Sequence, residues 1–348
     1  MKHINSEQIN SGQSNNYPNN DNPISNNQIN DGQINVFTKI NNQTKKDQFN
    51  NDKINNDKIN NGQTVSIYDM DEISEGNRPV LNKLCVYLEQ HIREGIGIAF
   101  SGGVDSSLLL KIACDIGRMN SLSVLAITFE TKLHPHGDLE EARSIALGFG
   151  AIHKTIEVDE FADPQIMYNP EDRCYRCKNL LFRTLISEAK QAGYQFQIDG
   201  TNYDDRNAYR PGMRALKELN IHSPLLELEI TKAQIRSLAA ELGIPSSDKP
   251  SAPCLATRLP YGAKLDFDIL ERIDLGEQYI KTFGFYNVRL RLHQDILRIE
   301  IDKRDFEKLI KHQEAILSKI KDLGFLYVTL DLEGFRSGSM DIKINKEA

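Results

Sequence analysis

The chain has 348 residues and a net charge of −7, which argues against a dedicated nucleic-acid-binding protein with a strongly basic face. Its apolar runs are shorter than the roughly 18 residues of a membrane span, and it begins without an apolar leader, so we expect neither membrane insertion nor secretion. Five cysteines, an odd number, favour thiols or metal ligands over disulfides, and the expected location is cytoplasmic.

Residues 1–65 are crowded with Asn, Gln, Asp and Lys and repeat short units such as Gln-Ile-Asn. Isolated isoleucines in such a segment bury too little apolar area to offset the entropy of the chain. We therefore expect a disordered Asn-rich tail at 1–65, followed by two folded domains at 66–247 and 248–348.

Apolar strands and amphipathic helices alternate from residue 66 onward. The pattern predicts strands at 96–100, 121–128, 153–158 and 196–199, with helices at 75–93, 138–149, 177–192 and 231–242 and another directly after the first strand. This alternation is typical of a doubly wound α/β domain with a parallel sheet. After a connector at 245–262, a smaller C-terminal α+β domain is predicted from a helix at 266–283, strands at 287–292, 296–301 and 326–330, and helical sequence at 304–323.

The first strand ends in a glycine turn, Ser101-Gly102-Gly103, and the next helix opens with Val104-Asp105-Ser106-Ser107. Backbone N–H groups in such a turn, with a helix dipole behind them, form a cradle for phosphate. The turn lacks the patterns of the common P-loop and of dinucleotide-binding folds. Because ligands of parallel sheets lie beyond the carboxyl ends of the strands, Thr128 and the segment 199–202 are expected at the same edge.

Three cysteines lie in predicted loops or at a helix start. Cys174 and Cys177 form a Cys-x-x-Cys pair, and Cys254 lies in the connector. Such a set can serve redox chemistry, a zinc site completed by His153 or His222, or a 4Fe–4S cluster that keeps one iron open. The remaining two cysteines fall on amphipathic helices, where we expect buried small apolar residues: Cys85 and Cys114.

Several arginines are candidates for binding an anionic substrate. Arg206 and Arg210 follow the fourth strand in a polar, turn-rich segment, and Arg258 lies in the connector. Arg289 and Arg291 are two residues apart in a predicted strand, so we expect their side chains on the same face of the sheet. Each guanidinium can hold a carboxylate or phosphate bidentately, although a solvated loop or sheet face explains the same pattern.

Six motifs occur in a fixed order along the chain: SGGVDSS, CYRCK, DGTNYDD followed by YRPG, CLATRLPYG, VRLRLH and LDLEGFRSG. The glycine turn resembles the PP-loop of ATP pyrophosphatases. The ordered set resembles the LarE family of ATP-dependent sulfur transferases within that superfamily. This resemblance covers about residues 70–342.

The resemblance implies an activity. ATP adenylates the carboxylates of pyridinium-3,5-biscarboxylic acid mononucleotide, and sulfur then displaces AMP to give thiocarboxylates for the nickel-pincer nucleotide cofactor of lactate racemase. The partners implied are this small-molecule nucleotide and a sulfide donor, without nucleic acid or membrane, in a homo-oligomer that is hexameric by family analogy.

The resemblance also implies roles for individual residues. ATP phosphates lie in the cradle of Ser101, Gly102, Gly103, Val104, Asp105, Ser106 and Ser107, Mg²⁺ on Asp105, and adenine at Thr128. Substrate-binding positions are Arg206, Arg210, Arg258, Glu277, Arg289 and Arg291. One version of the family consumes the sulfur of a single cysteine. The three-cysteine set here favours the other version, in which Cys174, Cys177 and Cys254 hold a 4Fe–4S cluster whose open iron carries the sulfide.

Other functions remain as alternatives. A tRNA thiolase also combines a PP-loop with Cys-x-x-Cys, but the net charge of −7 weighs against it. An amide synthetase that uses ammonia or glutamine would leave the three cysteines without a role. A nucleotide-sensing module with structural zinc would bind ATP without releasing pyrophosphate.

Overall fold

The structure, a computed structural model, describes residues 67–135, 137–207, 211–336 and 338–341. All of them lie within the unit that spans residues 56–348. The Asn-rich tail predicted at 1–65 falls outside the described residues. The division into domains at 247/248 stays a prediction.

Four parallel strands form the first sheet, in the order β3-β2-β1-β4. Their bounds are Ile96–Ala99 (β1), Leu125–Glu130 (β2), Ile152–Glu157 (β3) and Phe196–Ile198 (β4). The chain moves outward from β1 to β3 and then returns to the opposite side of β1. The order therefore reverses between β1 and β4, and ligands of open α/β sheets bind beyond the carboxyl ends of the strands at such a reversal.

Helices cover both faces of this sheet, as the sequence predicts. Their bounds are Arg78–His91 (α1), Val104–Met119 (α2), Asp138–Gly148 (α3), Arg173–Gln191 (α4), Gly212–Glu218 (α5), Pro224–Glu227 (α6) and Lys232–Glu241 (α7). Strand side chains alternate between the two faces. Ile96 and Ile98 share a core with α1, α2 and α7, whereas Leu125 and Ile127 share one with α4 and α5.

A separate small sheet follows in the C-terminal part, in the order β5-β6-β7. Its strands are Val288–His293 (β5), Ile296–Ile301 (β6) and Tyr327–Leu330 (β7), and its helices are Phe267–Lys281 (α8), Phe306–Lys311 (α9) and Gln313–Asp322 (α10). β5 and β6 are antiparallel, whereas β6 and β7 are parallel because α9 and α10 connect them. Leu290 and Ile299 pack with Ile273 of α8 and Ile320 of α10 in one buried core.

The structure differs from the predicted elements in three places. Helix α4 begins at Arg173, so both Cys174 and Cys177 lie in its first turns. Strand β2 continues to Glu130, which places Thr128 inside the strand instead of at its end. The short helices α5 and α6 were not predicted. In the described part of the chain, no helix is long and apolar enough to cross a membrane.

Helix α7 begins with a capping box, which stabilises its first turn. The Thr231 hydroxyl accepts a hydrogen bond from the Gln234 N–H, and the Gln234 side chain accepts one from the Thr231 N–H. We expect Thr231→Ala to lower the free energy of unfolding by about 1 kcal/mol, because it leaves an N–H group of the first turn without its acceptor. Urea unfolding measures this loss. Thr282→Ala, which removes a hydroxyl that donates to the Tyr279 carbonyl at the end of α8, is the comparison at a helix C-terminus. An unchanged free energy of unfolding in Thr231→Ala would contradict the capping role.

Candidate functional site

The glycine turn joins β1 to α2 and forms a cradle of backbone N–H groups. Gly102 has a φ of +70°, which favours glycine. The Ser101 hydroxyl accepts a hydrogen bond from the Gly103 N–H at 3.3 Å, and the Ser106 hydroxyl donates to the Gly103 carbonyl at 3.1 Å. Among the described side chains, none caps the N-terminus of α2. Its first N–H groups therefore remain available to an anion.

Asp105, in the first turn of α2, is paired with a lysine that the sequence analysis missed. Lys232 Nζ lies 2.5 Å from Asp105 Oδ2, whereas Oδ1 is buried without a hydrogen-bond partner among the described residues. Burial raises the pKa of Asp105, and Lys232 opposes that rise. Lys232 is itself fixed, since its backbone N–H donates to Asp204 Oδ2 at 2.7 Å. A cation thus lies beside the phosphate cradle, at the start of α7.

The segment after β4 closes the other side of the cradle, as expected. A Cβ atom on Gly200 would lie 3.0 Å from the Ser106 backbone nitrogen, so the two segments are in close contact. Asp199 is buried and accepts hydrogen bonds from the hydroxyls of Thr201 and Ser223, both at 2.6 Å. Lys178 of α4 lies 3.7 Å from Asp199 Oδ2, so the helix that carries the cysteine pair reaches this edge.

Of three other predicted residues, one contacts the residue before the cradle, one is exposed and one falls outside the described residues. The Thr128 hydroxyl lies 2.8 Å from the Phe100 carbonyl and 2.8 Å from His153 Nε2, so its contacts are within the sheet. Arg206 is exposed and stacks on the Tyr203 ring at 5.3 Å. Arg210 falls outside the described residues.

The three candidate cysteines come from two elements that approach each other. Cys174 is exposed, and Cys177 and Cys254 are half-buried. Burial raises the pKa of the Cys177 thiol, and the nearby Cys254, Glu160 and Cys174 raise it further. No group of three or more His, Cys, Asp or Glu side chains surrounds a single ion position within the described ranges. The predicted burial of the remaining cysteines is confirmed, because both lie in the first core: Cys85 and Cys114.

The connector that carries Cys254 is held by side chains that bind its backbone carbonyls. Arg236 of α7 donates to the carbonyls of Ser247 and Lys249, at 2.6 and 2.8 Å. Arg289 and Arg291 of β5 donate to the carbonyls of Ser251 and Thr257, at 2.5 and 2.6 Å. The connector therefore has a fixed path between the two sheets.

Arg258 and Glu277, both predicted to bind substrate, are bound to each other. The Arg258 guanidinium donates to both Glu277 oxygens at 2.8 Å, and each side chain is 1% exposed. Burial alone would raise the pKa of the Glu277 carboxyl, but Arg258 holds it below its ordinary value. Glu277 also accepts a hydrogen bond from the Leu290 N–H at 2.8 Å. The pair therefore ties the connector to α8 and β5.

Arg289 and Arg291 lie beside this pair as further buried cations. Burial lowers the pKa of Arg289 to about 10, and the neighbouring Arg258 lowers it too. Burial also lowers the pKa of Arg291, although Glu300 lies 3.1 Å from its Nε. Within the part of the chain that the structure describes, the buried Arg289 Nε has no hydrogen-bond partner. Desolvated guanidinium groups this close together favour the binding of an anion.

A cavity of about 110 Å³ adjoins these arginines. Its walls include Asp138 at the start of α3, Lys249 of the connector, and Arg258, Glu277 and Arg289. Helix α3 also contacts the glycine turn, since a Cβ on Gly102 would lie 3.1 Å from Ala142. The cavity thus lies between the arginines and the helix that flanks the phosphate cradle.

Known proteins resemble this chain along most of its described length. A family model described as Asparagine synthase matches residues 90–201, which include all four strands of the first sheet. An uncharacterized protein of Synechocystis is 39% identical over 251 residues, 72% of this chain and 92% of that protein. The pyridinium-3,5-bisthiocarboxylic acid mononucleotide synthase of Lactiplantibacillus plantarum is 35% identical over 252 residues, 72% of this chain and 90% of that protein.

That synthase is a LarE protein. The chain belongs to the LarE family. It is therefore an ATP-using sulfur transferase built on a PP-loop domain, as the sequence predicts. The tRNA-specific 2-thiouridylase MnmA of Rickettsia bellii is 27% identical over only 194 residues, 44% of this chain and 51% of that protein. The LarE match extends over far more of both chains than the tRNA thiolase match.

Lys232 offers a direct test of the phosphate cradle. We expect Lys232→Met to slow ATP-dependent pyrophosphate release at least tenfold, which corresponds to about 1.4 kcal/mol, because it removes the cation beside Asp105. Steady-state kinetics against ATP concentration measure the loss. Lys190→Met, at the exposed end of α4, serves as the control. Equal rates for Lys232→Met and the wild type would exclude Lys232 from the ATP site.

The Arg258–Glu277 pair predicts a stability effect with a defined pH dependence. Glu277→Gln should lower the free energy of unfolding at neutral pH by about 3 kcal/mol, because Arg258 stays buried without a counter-charge. The pKa of Glu277 is lower in the folded protein than in the unfolded chain. The stabilisation is therefore present above the ordinary Glu pKa of about 4.3, and it disappears as the pH falls through the lowered pKa of the folded protein.

Urea unfolding across a pH series measures this effect. The difference between wild type and Glu277→Gln should shrink in acid. Glu271→Gln, at an exposed position of the same helix, should change little at any pH. A constant difference down to acid pH would contradict the ion-pair explanation.

Proposed function

We propose that this enzyme converts pyridinium-3,5-biscarboxylic acid mononucleotide to its bisthiocarboxylic acid, in the biosynthesis of the nickel-pincer nucleotide cofactor of lactate racemase. The observation that carries the proposal is the product named for the L. plantarum relative, together with the match over 72% of this chain. The contacts at the cradle, the arginines and the cysteines support successive steps of such a reaction.

Adenylation is the first step that the site supports. A substrate carboxylate oxygen attacks the α-phosphorus of ATP, the bond to the bridging oxygen breaks, and pyrophosphate leaves. The cradle N–H groups and Lys232 can take up the charge that develops on the leaving pyrophosphate. The buried Asp105 Oδ1 has no hydrogen-bond partner in the described ranges. A carboxylate oxygen is the type of ligand that Mg²⁺ prefers, so we propose Asp105 as its protein ligand.

The arginine cluster supports binding of a substrate with several negative charges. Arg289 and Arg291 are desolvated, and the neighbouring Arg258 lowers the pKa of both, which an anionic ligand would relieve. The proposed substrate carries two carboxylates and a phosphate. In this proposal Arg258 and Glu277 form part of the pocket wall. Arg206 and Arg210 stay predicted substrate contacts.

The second step replaces AMP by sulfur. A sulfide-level nucleophile attacks the carbonyl carbon of the acyl adenylate, the C–O bond to AMP breaks with its electron pair on AMP, and a thiocarboxylate remains. A second round converts the other carboxylate. The 2-thiouridylase relatives match only part of this chain, so the carboxylate substrate is the better-supported one.

We propose that Cys174, Cys177 and Cys254 would hold a 4Fe–4S cluster, whose open iron would supply sulfide. The three thiols influence one another electrostatically. Three thiolates match a cluster that keeps one iron open, whereas a closed structural zinc site takes four ligands. The number of thiols therefore favours a cluster over structural zinc.

Two further expectations belong to the same proposal. All five cysteines are free thiols, which supports a reducing, cytoplasmic location. A homo-hexamer is proposed by family analogy alone.

Pyrophosphate release and thiocarboxylate formation, measured together under anaerobic conditions, test the function. We expect both with ATP, Mg²⁺, sulfide and the biscarboxylate mononucleotide, and neither with tRNA. The Ala variants of Cys174, Cys177 and Cys254 should each lose thiocarboxylate formation and iron, whereas Cys85→Ala should keep both. Pyrophosphate release with tRNA alone would overturn the substrate assignment.

Metal analysis of the anaerobically purified protein separates the cluster from its alternatives. Iron with broad visible absorbance is expected, and zinc would favour the structural-metal alternative. If Cys174→Ala still completed many turnovers, the cluster proposal would be wrong and a single reactive cysteine would replace it.

A further inference from the structure

Asn169 lies at the centre of a set of hydrogen bonds between the connector and the start of α4. It is 1% exposed and has a φ of +46°, a conformation that asparagine tolerates better than most residues. Its Nδ2 donates to the carbonyls of Pro260 at 2.8 Å, Leu259 at 3.1 Å and Ala256 at 3.4 Å. Its backbone carbonyl accepts a hydrogen bond from the Gly262 N–H at 3.0 Å. One residue thus holds the segment that directly follows Cys254.

Arg173 extends these hydrogen bonds toward the sulfur atoms of the cysteines. One guanidinium nitrogen donates to Asn169 Oδ1, and the other lies 3.6 Å from Cys174 Sγ. Arg173 is 3% exposed, and its electrostatic neighbours are Cys254, Cys174 and Tyr261. A buried guanidinium needs acceptors for its N–H groups, and here Asn169 Oδ1 and Cys174 Sγ supply two of them.

We infer that Asn169 and Arg173 are positioning residues of the three-cysteine site. Asn169 holds the Cys254 segment against the helix that carries Cys174 and Cys177. Arg173 places a positive charge beside the sulfur atoms gathered there. The inference rests on the proposed function only where it assigns these sulfur atoms to sulfur transfer. The contacts of Asn169 and Arg173 themselves do not depend on that function.

The residue types fit these two roles. An amide offers both a donor for three carbonyls and an acceptor for Arg173, which a carboxylate or hydroxyl cannot do at once. A guanidinium has a planar fork that reaches Asn169 and Cys174 together, whereas the single ammonium of lysine reaches one of them. Glu160, from a short turn at 160–162, faces the thiols with the opposite charge and raises the pKa of Cys177.

Two variants of Asn169 distinguish the effect of its side chain from the effect of its backbone conformation. Asn169→Gly keeps the positive φ and removes the amide, and Asn169→Asp keeps an oxygen for Arg173 but removes the donors. Asn220→Gly is the matched control, because Asn220 also has a positive φ, +52°, at an exposed position. All variants are full-length proteins whose folding is checked by circular dichroism and thermal unfolding.

Two measurements on the metal-free protein give the result. The first is the rate at which iodoacetamide alkylates Cys254, followed by mass spectrometry. The second is the rate of hydrogen exchange of residues 255–262. We expect both Asn169 variants to speed alkylation and exchange about tenfold or more, because the segment opens more often. Thiocarboxylate formation should fall at least about tenfold, with pyrophosphate release within about twofold of the wild type. Unchanged alkylation and exchange in both variants would overturn the role of Asn169.

Variants of Arg173 test the same contacts from the other side. Arg173→Met should speed alkylation of Cys254 and exchange of residues 255–262 about tenfold, because Asn169 Oδ1 loses its donor and Cys174 Sγ its guanidinium contact. Arg173→Lys, which can keep one of the two contacts, should restore part of the protection, and Arg183→Met, on the exposed face of α4, should change neither rate. Unchanged alkylation and exchange in Arg173→Met would overturn the role of Arg173.

These outcomes are distinct from failure of the proposed function. If the wild-type protein forms no thiocarboxylate, the proposed function fails. The alkylation and exchange experiments still decide the roles of Asn169 and Arg173, because they need neither substrate nor metal.

Discussion

The buried ion pair between Arg258 and Glu277 joins parts of the chain that are distant in sequence. Arg258 also donates to the carbonyls of Pro253 and Cys254, and Glu277 accepts from the backbone of β5 through Leu290. The position of Cys254 relative to the second sheet therefore depends on this pair. Two charges buried this deeply are stable only while both are present, so the pair constrains everything that packs around it.

The α/β order, the second sheet and the phosphate cradle were predictable because their signals are local. Buried strands and amphipathic helices have different periods, and a Gly-Gly turn between a strand and a helix has few conformations. The short helices α5 and α6 escaped prediction because few residues define their period. The start of α4 was placed too late, since Cys174 and Tyr175 do not mark a helix by hydrophobicity.

The candidate site was less predictable, because its contacts join residues far apart in sequence. The sequence predicts helix α7 but not the contact between Lys232 and Asp105, which depends on how α7 packs on α2. The family resemblance implies that Arg258 and Glu277 bind substrate, but it gives no sign that they neutralise each other. Asn169 gave no signal at all: an asparagine next to a proline is typical of any surface turn, and only the fold shows that it is buried.

The connector at 245–262 has a consequence for how this enzyme can vary. Side chains from α7, β5 and the segment before α4 bind its carbonyls at short intervals, from Ser247 to Pro260. Most loops tolerate inserted residues because their backbone is free in solvent. Here an inserted residue would shift every carbonyl out of register with its donor. The length of this segment is therefore fixed as strictly as that of a strand, although its regular secondary structure is limited to one short 3₁₀ helix, Leu255–Arg258.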